Sequence, residues 1–330
     1  MATLEGSGDA KIKYIRPSPE QTGCFALIIE FIKTIIDVNI IILLSIIRFF
    51  VPAKKKDLSG EIAVITGAAG YIGRLLALRF AAKGAAVVLW DVNKAGLEKV
   101  EQEIIDKGGH AFAYFCNLRD KHDIQRTAAK VSKEVGNPTI LVNNAGIVAG
   151  KFLLDLSENE IEAAFEVNTL AHFWTTRAFA PAMIKSNHGH IVAVASILGT
   201  DGLAQLTEYC ATKYAVNGFM QSLRREFDFQ GYDGIHCTTV NPFVIDTELF
   251  QGVTIRFPKM PFLYVLKPDF VADKIMEAIE TNQILLNIPR FCYFTPLLAS
   301  ILPMKAADRL QKFVGSTTAM SNFIGRRKGS

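Results

Sequence analysis

From Leu58 onward, short apolar runs alternate with helical stretches, and that alternation restricts the fold more than any other feature of the sequence. The runs are "EIAVIT", "AAVVLW", "HAFAYF", "TILVNN", "HIVAVAS", "IHCTTV" and "QILLNI". Apolar residues at consecutive positions, rather than at every second one, belong to strands covered on both faces. Between them lie helical stretches over 71–83, 93–107, 121–135, 158–185 and 205–229. Each is long enough to carry the chain back, so that successive strands run parallel. The expected fold is α/β, a doubly wound parallel sheet of about seven strands between helix layers, over residues 57–290. There is no internal repeat and no low-complexity tract.

The ends of the chain differ. Residues 1–23 are polar and read as a flexible tail. Residues 24–56 read as a hydrophobic membrane anchor with a basic flank, Lys54 to Lys56. Within its apolar part, Glu30, Lys33 and Asp37 share one helix face, and a charge near mid-bilayer costs roughly 2.5–3.5 kcal/mol. Lys11, Lys13 and Arg16 before the segment balance the lysines after it, so charge assigns no orientation. An in-plane or hairpin-like anchor is therefore favoured over a simple span, and a buried core helix is the bland alternative. Residues 291–330 form a C-terminal extension with the apolar "FCYFTPLLASILP", expected to be partly membrane- or pocket-associated. The net charge of +4, from 36 basic and 32 acidic residues, leaves no nucleic-acid footprint. Five scattered cysteines without metal spacing exclude a disulfide framework and suggest a reducing compartment. No metal site is expected.

The first strand ends in "TGAAGYIG" and runs straight into a helix. Gly67, Gly70 and Gly73 suit a tight strand-to-helix turn whose backbone N–H groups approach a pyrophosphate. Asp91 closes the second strand, where a carboxylate accepts hydrogen bonds from an adenosine ribose and repels a ribose phosphate. Ala69 offers no cation to hold such a phosphate, so NAD is expected rather than NADP, with Lys94 as the residue that would spoil this reading. Further on, Tyr209 and Lys213 stand four apart on a helix and so share a face.

These features, with "NNAG" at Asn143 to Gly146 and Ser196 after the fifth strand, follow one another in the order found in the short-chain dehydrogenase/reductase family, which the chain resembles over about residues 58–290. The resemblance implies a Rossmann-type domain in which Tyr209 is the general acid/base and Lys213 lowers its pKa and binds the nicotinamide ribose. Ser196 holds the substrate oxygen, and Asn168 supports a proton-relay water. It further implies cofactor contacts at Gly67, Gly70, Tyr71, Ile72, Gly73, Asp91, Asn117, Leu118, Asn144, Ala145, Gly146, Pro242, Val244 and Thr247, besides Tyr209 and Lys213. Asn117 replaces the more usual aspartate, and Phe243 follows Pro242 where glycine is common. Bringing a phenol from about 10 to about 7 takes roughly 4 kcal/mol of preference for the anion, which a neighbouring ammonium and an oxidised nicotinamide are expected to supply. His188 and His190, in the turn before a strand, read as solvent or backbone partners, and Cys210 as packing.

Phe243, Phe250, Phe257, Phe262, Leu263, Tyr264 and Leu266 crowd the stretch where this family shapes its substrate pocket, so a lipophilic substrate is expected. With the hydrophobic N-terminal segment, "VVLWDVNKAGLE", "PFVIDTELF" and the ending "FIGRRKG", the chain resembles the membrane-bound branch of retinol and 17-beta-hydroxysteroid dehydrogenases of endoplasmic reticulum and lipid droplets. That resemblance implies an enzyme at such a surface, its catalytic domain facing the cytosol, interconverting a lipophilic alcohol and its carbonyl. A homodimer through the two long helices is a family expectation. The alternative is a coat or scaffold protein of the lipid surface whose dehydrogenase domain is incidental.

Overall fold

Consecutive apolar residues in the first strand face opposite sides of one sheet, and both sides are covered. The computed structural model describes residues 23–51, 53–257 and 264–325, the side chains of 45–50 excepted. The tail over residues 1–22, Phe262, Leu263 and the basic run 326–329 lie outside the described residues. Seven strands are present there: β1 (Ile62–Thr66), β2 (Ala86–Asp91), β3 (His110–Phe115), β4 (Ile140–Asn143), β5 (Gly189–Val194), β6 (Ile235–Pro242) and β7 (Leu285–Ile288). All pair in parallel, in the order β3-β2-β1-β4-β5-β6-β7. The order reverses between β1 and β4, which places a crevice at the carboxyl ends of those two strands.

Ala63 and Ile65 join one core cluster, with Leu76 and Phe80 of α2 (Tyr71–Ala82), Leu97 of α3 (Lys94–Asp106) and Val271 of α8 (Pro268–Glu280). Val64, between them in sequence, joins the other cluster. There it meets Ile124 of α4 (Lys121–Glu134), Phe179 of α6 (Ala171–Ser186) and Val216 of α7 (Thr207–Gln230). Each fully buried Phe, Leu or Ile contributes about 1.5–3 kcal/mol, so this two-sided burial is the main force fixing the sheet. Helix starts are marked locally: Asn93 caps α3, Asp120 caps α4, and Ser157 with Glu160 closes a capping box on α5 (Glu158–Phe165), each cap worth about 1 kcal/mol.

One expected element is split. The stretch 158–185 is not one helix; α5 and α6 are joined by a π-helical turn, Glu166–Leu170. Asn168 sits in that turn, and its side chain bonds Ile147 and Thr212 instead of leaving a regular helix undisturbed.

The chain divides into two units, Met1–Lys54 and Lys55–Ser330. The first contains α1 (Cys24–Phe50), where the Thr34 hydroxyl and the Asn39 amide donate to the carbonyls of Glu30 and Ile35 at 2.9 and 2.7 Å. Among the described residues no helix is long and apolar enough to cross a membrane. In the second unit the basic flank is tied down: Lys55 pairs with the buried Glu280 at 2.8 Å, and Lys56 Nζ lies 2.9 Å from His190 Nδ1. His190 is thus a fully buried strand residue whose Nε2 lies 2.8 Å from the Thr238 hydroxyl, not a turn residue facing solvent. His188 instead meets Glu61 at 2.9 Å. After β7 come α9 (Phe294–Ile301), α10 (Met304–Val314) and a closing segment, residues 315–325.

Candidate active site

Parallel strands end on one side of the sheet, so residues far apart in sequence meet there. Thr66, the last residue of β1, accepts backbone N–H bonds from Asn144 and Ala145 on its hydroxyl at 3.0 and 3.1 Å. The Asn144 amide returns a bond to the Thr66 carbonyl at 3.0 Å. This stitches the glycine loop to the "NNAG" stretch. Gly67 has φ +66, and a Cβ there would stand 2.9 Å from the Ala145 Cα. Gly73, one turn into α2, would place a Cβ 2.1 Å from the Gly67 carbonyl oxygen. Helix and loop touch only because both residues lack a side chain.

Gly70 is the N-cap of α2 and provides no side-chain cap, so the first N–H groups of the helix keep their donors for another partner. Asp91 stands beside the loop: Oδ2 accepts from the Ala69 N–H and Oδ1 from the Asn93 N–H, both at 3.0 Å. Tyr71 is exposed and Ile72 packs on the core beneath. Lys94 Nζ lies over the Phe115 ring, 5.1 Å from its centre. The Asn117 N–H donates to Asp123 Oδ2 at 2.7 Å, and Leu118 is buried. A glycine cradle that any Cβ would fill, an uncapped helix start and a carboxylate at the next strand end fit a dinucleotide.

Across the crevice, Tyr209 and Lys213 lie on the buried face of α7, 3 % exposed each. Lys213 Nζ donates to the Val194 carbonyl at 3.0 Å and sits 5.4 Å from the centre of the Tyr209 ring. Ser196, just past β5, receives the Leu198 N–H at 3.1 Å and hydrogen-bonds the Tyr209 phenol. Asn168 closes the far side: its Oδ1 accepts from the Ile147 N–H at 2.8 Å, and its Nδ2 donates to the Ile147 carbonyl at 2.9 Å. A Cβ on Gly146 would stand 3.6 Å from both Asn168 Oδ1 and Lys213 Nζ, so the "NNAG" glycine lies between the two. The structure therefore brings together Gly146, Asn168, Ser196, Tyr209 and Lys213. Pro242 ends β6; Val244 and Thr247 follow, with the Val244 carbonyl held by the Leu266 N–H at 2.8 Å.

The electrostatics differ from the expectation of an acidic phenol. Burial dominates and pushes Tyr209 above its ordinary value, against a smaller lowering by the Ser196 hydrogen bond. Burial also lowers Lys213 from 10.5 to about 8. Removal from water dominates both groups, while the Lys213 ammonium donates to the Val194 carbonyl and lies over the Tyr209 ring.

The apolar lining differs as well. Phe250 meets Tyr209 edge-on at 5.7 Å, whereas Leu266 is buried in the core beside α8, Phe243 packs against that core, and Tyr264 packs there too while lining a cavity with Phe270, Leu286 and Tyr293. Phe257 lies against Phe313 of α10. The residues around Tyr209 that the sequence reading missed are Val148, Leu198, Leu203, Val253, Met320 and Phe323. Glu208 was missed too: it is buried, its Oε1 takes the Ala149 N–H at 3.2 Å, and its Oε2 has no partner.

A sequence profile described as short chain dehydrogenase matches residues 61–256. Retinol dehydrogenase 10 of Homo sapiens is 38% identical over 327 residues, covering 92% of this chain and 96% of that protein. Epidermal retinol dehydrogenase 2 of Homo sapiens is 41% identical over 285 residues, covering 86% and 92%. Among solved structures, a metagenomic short-chain oxidoreductase in complex with NADP aligns with a TM-score of 0.59 at 31% identity, over 71% of this chain and 97% of that one. A short-chain dehydrogenase/reductase from Burkholderia phymatum in complex with NAD, at 23% identity and a TM-score of 0.67, covers 79% of this chain and 98% of its own and shares the fold.

Proposed function

The chain belongs to the short-chain dehydrogenase family and is a dehydrogenase/reductase, and from that premise we propose that it interconverts a lipophilic, retinol-like alcohol and its carbonyl with NAD. The observation that carries this reading is the buried cluster of Tyr209, Ser196 and Lys213 facing the glycine cradle, walled by apolar side chains. The nicotinamide dinucleotide, when bound, supplies the hydride acceptor or donor. The rest falls to this chain's own groups. Ser196 Oγ holds the substrate oxygen, and Tyr209 Oη takes its proton as the alcohol is oxidised, or returns it in reduction. Lys213 Nζ holds a ribose and favours the phenolate. Burial raises the phenol, so its anion would need the positive charge that an oxidised nicotinamide supplies when bound, besides the Lys213 ammonium. Asn168, whose amide already bonds Ile147 and Thr212, keeps the relay side of the pocket in place.

Gly67, Gly70, Tyr71, Ile72 and Gly73 would hold the pyrophosphate side. Asp91, Asn117, Leu118 and Asn144 to Gly146 would hold the adenosine, and Pro242, Val244 and Thr247 the carboxamide. Asp91 favours NAD, since a ribose phosphate would meet its carboxylate and Ala69 beside it is neutral. The retinol-like substrate is supported by the names of the relatives and by the apolar wall.

Work at a lipid surface of endoplasmic reticulum or droplet, with the catalytic unit on the cytosolic side, is supported by the apolar α1. It is further supported by Phe294, Leu297, Leu298 and Ile301 of α9 with Met304, Leu310 and Phe313 of α10, all exposed. Exposed Phe173 on α6 and Tyr214 on α7 support a homodimer through those helices. The test is oxidation of retinol, a hydroxysteroid and a long-chain alcohol by the full chain in detergent, with NAD and with NADP. Tyr209→Phe is expected to lose about 10²–10⁴-fold in turnover while keeping its unfolding temperature. Equal turnover in that variant would overturn the assignment.

A further inference from the structure

One side of Tyr209 is packed by residues 315–325. Leu206, Tyr209, Cys210 and Met320 form one buried cluster, with Phe250, Val253 and Phe323 packed against it. Met320 and Phe323 come from residues 315–325, a strap that crosses back after α10. It is fastened at several points. The Thr254 N–H donates to the Ala319 carbonyl at 2.9 Å, and the N–H groups of Ile324 and Gly325 donate to the Gln251 carbonyl at 2.9 and 3.2 Å. The preceding α10 is held as well: Arg256 Nη1 donates to the Phe313 carbonyl at 2.9 Å, and Gln311 Nε2 to the Asp201 carboxylate at 2.7 and 2.8 Å.

Two loops are shaped to receive it. Gly150 has φ +67, and a Cβ there would stand 2.1 Å from two carbons of the Phe323 ring. Gly252 has φ +88, and its Cβ would stand 2.0 Å from the Asn322 carbonyl oxygen. A side chain at either position would displace the strap, so the ring of Phe323 occupies a seat built for it.

We propose that Phe323 and Met320 form the substrate-side wall over Tyr209 and determine specificity, admitting a slender polyene or alkyl alcohol and rejecting wide fused rings. This rests on the reading of Tyr209 as the acid/base. Phe250 stands edge-on to the phenol, 5.7 Å between centres, and Phe323 and Met320 belong to the same cluster, so the three side chains crowd one side of Tyr209.

The test uses the full chain and the variants Phe323→Ala, Phe323→Leu and Met320→Ala, so that a folding defect in one leaves the others. The ratio of kcat/KM for a hydroxysteroid to that for retinol is expected to rise about tenfold or more in Phe323→Ala, with KM for NAD unchanged. A second readout needs no turnover: alkylation of Cys210, followed by mass spectrometry, is expected to speed up about tenfold in Met320→Ala and Phe323→Ala. Cys116 and Cys237, buried in the other cluster, keep their rates. Unchanged selectivity together with unchanged Cys210 labelling overturns the proposal. Faster labelling without turnover of any alcohol in the wild type leaves the strap standing and overturns the lipophilic-alcohol reading instead.

Discussion

Two glycines on helices, given the same methyl group, are expected to move stability in opposite directions. In Gly73→Ala the new Cβ would lie 2.1 Å from the Gly67 carbonyl oxygen and 2.9 Å from the Ala68 Cα, both backbone atoms. Ordinary carbon contacts sit near 3.5 Å, so helix and loop must part by about 1 Å. Overpacking of this kind costs about 1–3 kcal/mol, and the better helix propensity of alanine returns at most about 1 kcal/mol. A net loss of about 1–2 kcal/mol follows. Gly218 lies in α7, and a Cβ there would meet nothing within 4 Å. Gly218→Ala should gain about 0.5–1 kcal/mol. Thermal unfolding of the full chain in detergent, at about 2–4 °C per kcal/mol for a domain of this size, separates the two signs. The parted loop should also weaken NAD binding about 10- to 100-fold in Gly73→Ala alone. If Gly73→Ala melts at or above the wild type, or both variants shift the same way, the close approach of loop and helix is not what places the cradle.

Two further outcomes follow from the charges. Burial lowers Lys56 from 10.5 to about 8, so between those pH values the unfolded chain binds more protons and stability rises with pH. In Lys56→Met that gain is lost, so wild type minus variant should grow by up to about 1.4 kcal/mol per pH unit across the window in urea unfolding at several pH values; a constant difference would show that the lysine is not desolvated beside His190. Asp91→Asn removes the charge and keeps one oxygen acceptor of the two that take the Ala69 and Asn93 N–H groups. It should raise the NADP to NAD ratio of kcat/KM about tenfold, and an unchanged ratio would show that Asp91 does not select the cofactor.

Local chemistry was legible in the sequence, and contacts between distant segments were not. The inner strands announce themselves because burial on both faces demands unbroken apolar runs, whereas the edge strand β3 leaves Phe112 and Phe115 exposed. The glycine loop and the Tyr209–Lys213 pair are readable because their geometry depends on spacing within a few residues. The π-turn at Asn168 is not, since it answers to Ile147 and Thr212, far away along the chain. His190 looks like a turn residue until Lys56 is brought to it across the sheet. Phe243 and Leu266 look like pocket residues because an apolar side chain serves a core equally well. Met320 and Phe323 lack any local signal, and only the glycine seats at 150 and 252 hint that something must pass. Spacing shows the cation beside the phenol but not the loss of water around both groups, which raises the phenol and lowers the lysine.

The most direct check on Tyr209 is an ultraviolet difference titration of the full chain saturated with NAD⁺, wild type against Tyr209→Phe. A phenolate step at about pH 7, absent from the variant, is expected. A wild-type phenol that stays protonated past about pH 9 would contradict Tyr209 as the group that takes the proton.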